Sequence, residues 1–145
     1  MWLWATQLAS TWFMVGLIWL IQLVHYPLFA NVGEQGFRDY HLLHNQTITP
    51  IVLPLMLIEL VGAVWMVASP PANTPPLWLW VALALVGVCW ATTAFASVPA
   101  HSLLAAGWDP DAHRSLVLTN WIRTLAWSAR GCLVMWLFVR AVQAP

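Results

Sequence analysis

The chain has 145 residues, 61% of them hydrophobic and only 7% charged, with a formal net charge of zero. A soluble domain carries about 25% charged residues, so the composition excludes an ordinary globular protein and points to an integral membrane protein. With zero net charge nothing points to nucleic acid or to an acidic partner, and two cysteines outside any CxxC motif, Cys89 and Cys132, give no disulfide framework or zinc site.

One domain, 1–145, is expected at this length. Four runs reach the roughly 20 apolar residues that cross a bilayer. The first covers 2–24. It lacks a basic leader and a small-x-small cleavage pattern, so it reads as a spanning helix and not as a secretory signal. It closes at His25-Tyr26-Pro27, because proline disfavours helix in the residue before it. The second covers 49–68 and stops at Ser69-Pro70-Pro71. The third covers 77–98, with Pro99 near its end, and the fourth 116–142. Runs this long and continuous do not suit barrel strands, and open sheet edges are not viable in lipid. The fold class is therefore all-α: an integral membrane four-helix bundle.

The connections differ in character. PPANTPP is a short uncharged turn between the second and third helices. The other two links, 27–48 and 99–115, are long and polar. In the first of them, positions 37, 40, 41, 44 and 48 share one helical stripe. In the second, Asp109-Pro110 reads as an N-cap with proline in the first turn. Helices two and four are thus expected to extend beyond the bilayer at that end. An even number of spans puts the N- and C-termini on the same side, in a cell (plasma) membrane. Arg38, Arg114 and Arg123 against Arg140 favour the cytoplasm for the opposite side.

All five histidines fall at that opposite end. His25 closes helix one, His41 and His44 lead into helix two, His101 follows helix three and His113 leads into helix four. Among the twelve tryptophans, Trp2, Trp4, Trp78, Trp80 and Trp136 lie toward the turn end and Trp108 and Trp121 toward the histidine end, as interfacial belts do. Trp12, Trp19, Trp90 and Trp127 sit deeper, as core or as the lining of a flat apolar ligand.

Polar positions recur inside the spans. Cys89, Thr93, Ser97 and His101 are spaced by four. Gln22 and His25 are three apart. Asn120, Arg123, Trp127 and Arg130 share a face. For Thr93, Ser97 and Gln22, interhelical hydrogen bonding is the favoured reading. Glu59 lies in the middle of an apolar run, where a charge costs about 3 kcal/mol or more unless paired or wetted. Arg130 sits at a similar depth and is its expected partner, with Arg123 as a second. A structural ion pair and a functional carboxylate weigh equally for Glu59.

The histidine cluster supports two kinds of chemistry. Neutral imidazole is the commonest metal ligand, so His25, His41, His44 and His101 form a candidate set for a transition metal, or two facing rings for a haem. Without a metal, one of them acts as general base beside a bound apolar substrate. The paired Glu-x-x-His signature of di-iron carboxylate proteins is absent.

Within 97–131, SVPAHSLLAAGWDPDAHRSLVLTNWIRTLAWSARG, the elements Val98-Pro99-Ala100-His101 with Leu104, then Asn120-Trp121 with Arg123-Thr124, resemble the C-terminal half of a family of small four-helix membrane proteins that includes the anthrone oxygenases. Pro27 also fits. That family often has asparagine where this chain has His101. The resemblance implies a four-helix membrane fold and, in some members, oxidation of a flat aromatic ketone.

Two functions follow as expectations. The first is an oxygenase-like membrane oxidoreductase acting on a flat hydrophobic small molecule. Its catalytic residues would be His41, Glu59, His101 and Arg123, with His25, His44, Asn120 and Trp127 around a cofactor or substrate. The second is a non-catalytic subunit that packs in a larger membrane complex or a homo-oligomer, or that holds a haem or pigment.

Overall fold

The computed structural model describes residues 1–143. Among them are four long helices: α1, Trp2–Asn31; α2, Glu34–Ala68; α3, Pro76–Leu104; and α4, Pro110–Gln143. All four are long and apolar enough to cross a membrane, and the protein is an all-α four-helix bundle of the integral multi-pass kind. Each helix packs on its neighbour in sequence, and α4 closes the ring on α1.

The distribution of side chains is that of a bundle bathed in hydrocarbon. Phe95 is 84% exposed and Trp65 63%, whereas Glu59 and Arg130 are each 1% exposed. Apolar groups cover the outside because lipid solvates them, and polar groups turn inward to find partners. Inside, one apolar layer packs Trp4, Met66, Leu79 and Leu137 at the turn end. A second packs Met14, Ile18, Met56 and Trp127 in the middle. A third packs Phe29, Phe37, Leu104 and Leu116 at the histidine end.

The long links are mostly helical, as the stripe 37–48 indicates, and break at 32–33 and 105–109. Phe37, His41 and His44 face inward, and α2 runs 35 residues. At 1.5 Å per residue that is about 52 Å, well beyond the ~30 Å of hydrocarbon, so α2 projects at the histidine end. Helix α4 starts at Pro110, and Asp109 caps it: Oδ1 accepts from the backbone N–H of Asp111 and of Ala112, both at 2.9 Å. Between α1 and α2 the chain reverses at Gly33, whose φ of 83° lies in the region that favours glycine.

The expected helix ends at Pro27 and Pro99 are not where the helices end. Helix α1 runs through Pro27, and α3 continues from Pro99 to Leu104. Each proline is preceded by one wide turn, Ile21–His25 in α1 and Thr93–Ser97 in α3. In each, the closing hydrogen bond reaches five residues back, from Tyr26 N–H to the Ile21 carbonyl and from Val98 N–H to the Thr93 carbonyl. The wider turn relieves the clash a proline ring makes with the carbonyl four residues before it. Helix α2 carries Pro50 and Pro54 in its interior.

Candidate functional site

Four imidazoles from three helices converge at the histidine end and pair off. His25 Nε2, on α1, is 2.8 Å from His44 Nδ1 on α2. His41 Nε2, on α2, is 2.9 Å from His101 Nδ1 on α3. The pairs touch, with the His44 and His101 ring centres 5.7 Å apart. His101 is held at both nitrogens, since its Nε2 also meets the Tyr26 hydroxyl at 3.0 Å. His41 Nδ1 faces the Asn45 amide at 3.5 Å. The result is a line of polar groups, Asn45, His41, His101 and Tyr26, crossing from α2 through α3 to α1.

His25 and His44 each keep one ring nitrogen without a hydrogen bond among the described residues, and of the two it is His44 that borders the cavity beside the cluster. The His44 Nδ1 is taken by His25, and its Nε2 is the nitrogen left free. An imidazole fixed at one nitrogen and free at the other is the geometry of an oriented base. The fifth histidine, His113, stands apart from this arrangement: its Nε2 donates to the backbone carbonyl of Tyr26 at 2.8 Å and ties α4 to α1.

Beside the histidines lies a cavity of about 220 Å³ between α2 and α3. Ile48, Val52 and Met56 of α2 and Trp90 of α3 make its apolar walls. Polar groups gather on the rest: His44, His101, Tyr26, Ser97, Thr93 and Arg123. Leu53 and Val98, 45% and 53% exposed, border the mouth on the outer faces of the two helices. The opening is therefore lateral, where lipid chains would pack. Arg123 is 5% exposed and reaches in from α4. Its Nη1 donates to Ser97 Oγ at 3.0 Å, and its guanidinium lies 5.3 Å from the centre of the Trp127 ring.

A second polar cluster sits deeper and does not share the cavity. Glu59 Oε1 accepts from the Thr11 hydroxyl at 2.7 Å and from Arg130 Nη1 at 2.8 Å, and Oε2 accepts from Trp127 Nε1 at 2.8 Å. Arg130 also donates to Gln7 Oε1 at 2.5 Å and to the Thr11 hydroxyl. Gln7 Nε2 completes the set on the Ile58 carbonyl at 3.1 Å. The eighteen residues from His41 to Glu59 keep them on one face but separate them by about 27 Å along the axis.

These placements sort the residues singled out in the sequence. His25, His41, His44 and His101 come together; His44 and His101 border the cavity, and Arg123 joins those two there. Glu59 is removed from the catalytic set: its expected pairing with Arg130 is present, and both carboxylate oxygens are committed. Trp127 is occupied as the donor to Glu59, and neither it nor Asn120 borders the cavity. Asn120 Nδ2 bonds Gln22 Oε1 at 2.8 Å, and Gln22 in turn donates to the Val117 carbonyl at 3.2 Å. Gln22 and Ser97 thus make the interhelical bonds expected of them, while Thr93 bonds back to the Cys89 carbonyl of its own helix. Of the four deeper tryptophans weighed as core or as ligand lining, Trp90 borders the cavity.

Two cavity residues escaped the sequence reading. Tyr26 was legible only as part of the His-Tyr-Pro stop, and Asn45 lay beside the stripe. Their common signal, position next to a histidine, needed the helix phases to be known.

The donor set bears on cofactors. Hydrogen-bonded pairing leaves the rings as two couples, and among the described residues no group of three or more His, Cys, Asp or Glu side chains is placed to hold a metal ion. The cavity volume lies between the ~150 Å³ of a cavity that takes benzene and the ~300–1,000 Å³ of sites for drug-sized ligands. It suits a compact ring system and not a porphyrin, so neither the metal set His25, His41, His44 and His101 nor a haem fits this arrangement. No family model matches this chain, and neither a curated protein nor a solved structure matches it.

Proposed function

We propose that this protein is a membrane-embedded oxidoreductase of oxygenase type, acting on a flat hydrophobic molecule that enters from the lipid between α2 and α3. The observation that carries the reading is the pairing of an oriented imidazole, His44, with a laterally open and mostly apolar cavity. His44 Nε2 removes a proton from a carbon made acidic by a neighbouring carbonyl, while His25 holds the ring from behind. Arg123 and the Tyr26 hydroxyl steady the substrate oxygen on which the negative charge collects. His41 and His101 hold Tyr26 in place. Dioxygen then adds to the carbanion to give a hydroperoxide, which loses water to leave a new carbonyl. In balance, a methylene group and one dioxygen become a carbonyl group and one water: carbon is oxidised and dioxygen is reduced. The oxidative step is taken from the resemblance of 97–131 to the anthrone-oxygenase family. The acid–base step is taken from the geometry.

The same reading has the protein in the cell membrane, with both termini and the 69–75 turn on one side and the histidine end toward the cytoplasm. The partners are the bilayer and the substrate.

Anthrone in lipid nanodiscs tests the proposal, followed by oxygen uptake and the absorbance of anthraquinone. The expected result is turnover above protein-free nanodiscs, with His44→Gln lowering the rate by about 10²–10⁴-fold, the range of a lost general base. A wild-type rate no faster than the protein-free control, or a His44→Gln rate equal to wild type, would refute it.

A further inference from the structure

Arg123 is a buried cation without a counter-charge. It is 5% exposed, and its Nε is buried with no hydrogen-bond partner among the described residues. The one ion pair among those residues joins Arg130 to Glu59. Glu59 cannot serve both cations, because its two oxygens are already filled by Thr11, Arg130 and Trp127. The remaining acids, Glu34, Asp39, Asp109 and Asp111, all lie at the start of α2 or of α4, outside the apolar runs. A second orphan donor borders the same space: Trp90 Nε1 is buried without an acceptor. A charge held in a low-dielectric interior is costly unless paired, and unpaired buried donors are costly too. Two such donors on one cavity describe a missing acceptor.

We propose that the ligand of this cavity is a compact hydrophobic acid, bound as its anion, with the ionised oxygen against Arg123 and within reach of the Trp90 N–H. The ionised oxygen belongs to a carboxylate or a phenolate on a ring system that fills about 220 Å³. This rests on reading the cavity as the substrate site, and it adds that the substrate is selected by charge. A neutral molecule of the same shape leaves Arg123 uncompensated. The apolar walls reject small hydrophilic anions, so shape and charge together define the class.

The test uses 2-naphthoate and its neutral counterpart 2-naphthylmethanol, measured by equilibrium dialysis against the full chain in phosphatidylcholine nanodiscs. The wild-type protein is expected to bind the anion at least about tenfold more tightly than the alcohol, the scale of one hydrogen bond to a charged group. In Arg123→Gln that preference falls to near unity, and Arg123→Lys keeps most of it. Trp90→Phe removes one donor while leaving the charge and costs the anion several-fold. It carries the test if Arg123→Gln does not fold. Equal binding of the two probes, or a preference that survives Arg123→Gln or is untouched by Trp90→Phe, overturns the assignment. Arg123-dependent retention of phosphatidylglycerol through purification would give the site to a lipid headgroup and overturn it as well. Both readouts are made on the wild-type protein: anthrone turnover without anion preference overturns this inference alone, and anion preference without turnover overturns the oxygenase reading alone.

Discussion

Substitution Glu59→Gln removes one charge and keeps the shape, so it isolates what the deep ion pair contributes. Glu59 accepts three bonds, from Thr11 on α1 and from Arg130 and Trp127 on α4. A glutamine offers one oxygen and one amide nitrogen, so at least one of those donors then faces a donor. Arg130, 1% exposed, loses its counter-ion at the same time. Breaking a buried pair from one side costs about 3–5 kcal/mol. The neutral Gln22–Asn120 bond supplies the comparison, since hydrogen bonds between membrane helices average only about 0.6 kcal/mol and reach about 1.7. Unfolding by SDS in mixed micelles, followed by tryptophan fluorescence, measures both. Glu59→Gln and Arg130→Met should each lose about 3–5 kcal/mol, while Glu59→Leu with Arg130→Met should recover much of the loss, because replacing the whole pair with apolar groups leaves no buried charge. Single substitutions costing under about 1 kcal/mol, or a double variant costing the sum of its parts, would refute the placement of this pair in a dry interior.

Two further outcomes follow from local geometry. Asp109→Ala strips α4 of both cap hydrogen bonds, and the same titration should show a loss of about 1 kcal/mol. Gly62→Ala would press a methyl group into the Gln7 amide, which is tied to the Ile58 carbonyl and to Arg130; the expected loss is about 1–3 kcal/mol. Adding Gln7→Ser should relieve that collision, so the double variant should cost less than the two single variants together.

What the sequence revealed and what it hid divide along a physical line. Hydropathy is a sum over neighbours in sequence, so four spans were legible, and so was the one-sided placement of His25, His41, His44 and His101. Depth is also a sequence quantity: Glu59 and Arg130 lie at similar distances into their spans, and they meet. Azimuth is not. Which face of α4 looks at Thr11 was hidden, but Arg123 and Arg130, seven residues apart, share that face, so depth decides which of them takes the acid. The deeper arginine won, because it also finds Gln7 and Thr11, and this left Arg123 to the cavity.

Proline made the phases harder to read. In an α-helix each residue turns about 100°, so Cys89, Thr93, Ser97 and His101, spaced by four, drift about 40° per step and about 120° in all. A regular helix would carry His101 away from the face of Thr93. The wide turn at Thr93–Ser97 takes up one extra residue, about 100° of rotation, and brings the stripe nearly back into line. Thr93, Ser97 and His101 accordingly border one cavity. Pro99, which by itself looks like a stop, is tolerated by that turn, and Pro27 stands in the same relation to the turn at Ile21–His25, which presents His25 to His44 and Tyr26 to His101. The two prolines that seemed to end helices instead accompany the turns that aim the histidines, so the site is set by departures from the regular helix that make a period of 3.6 an incomplete guide to it.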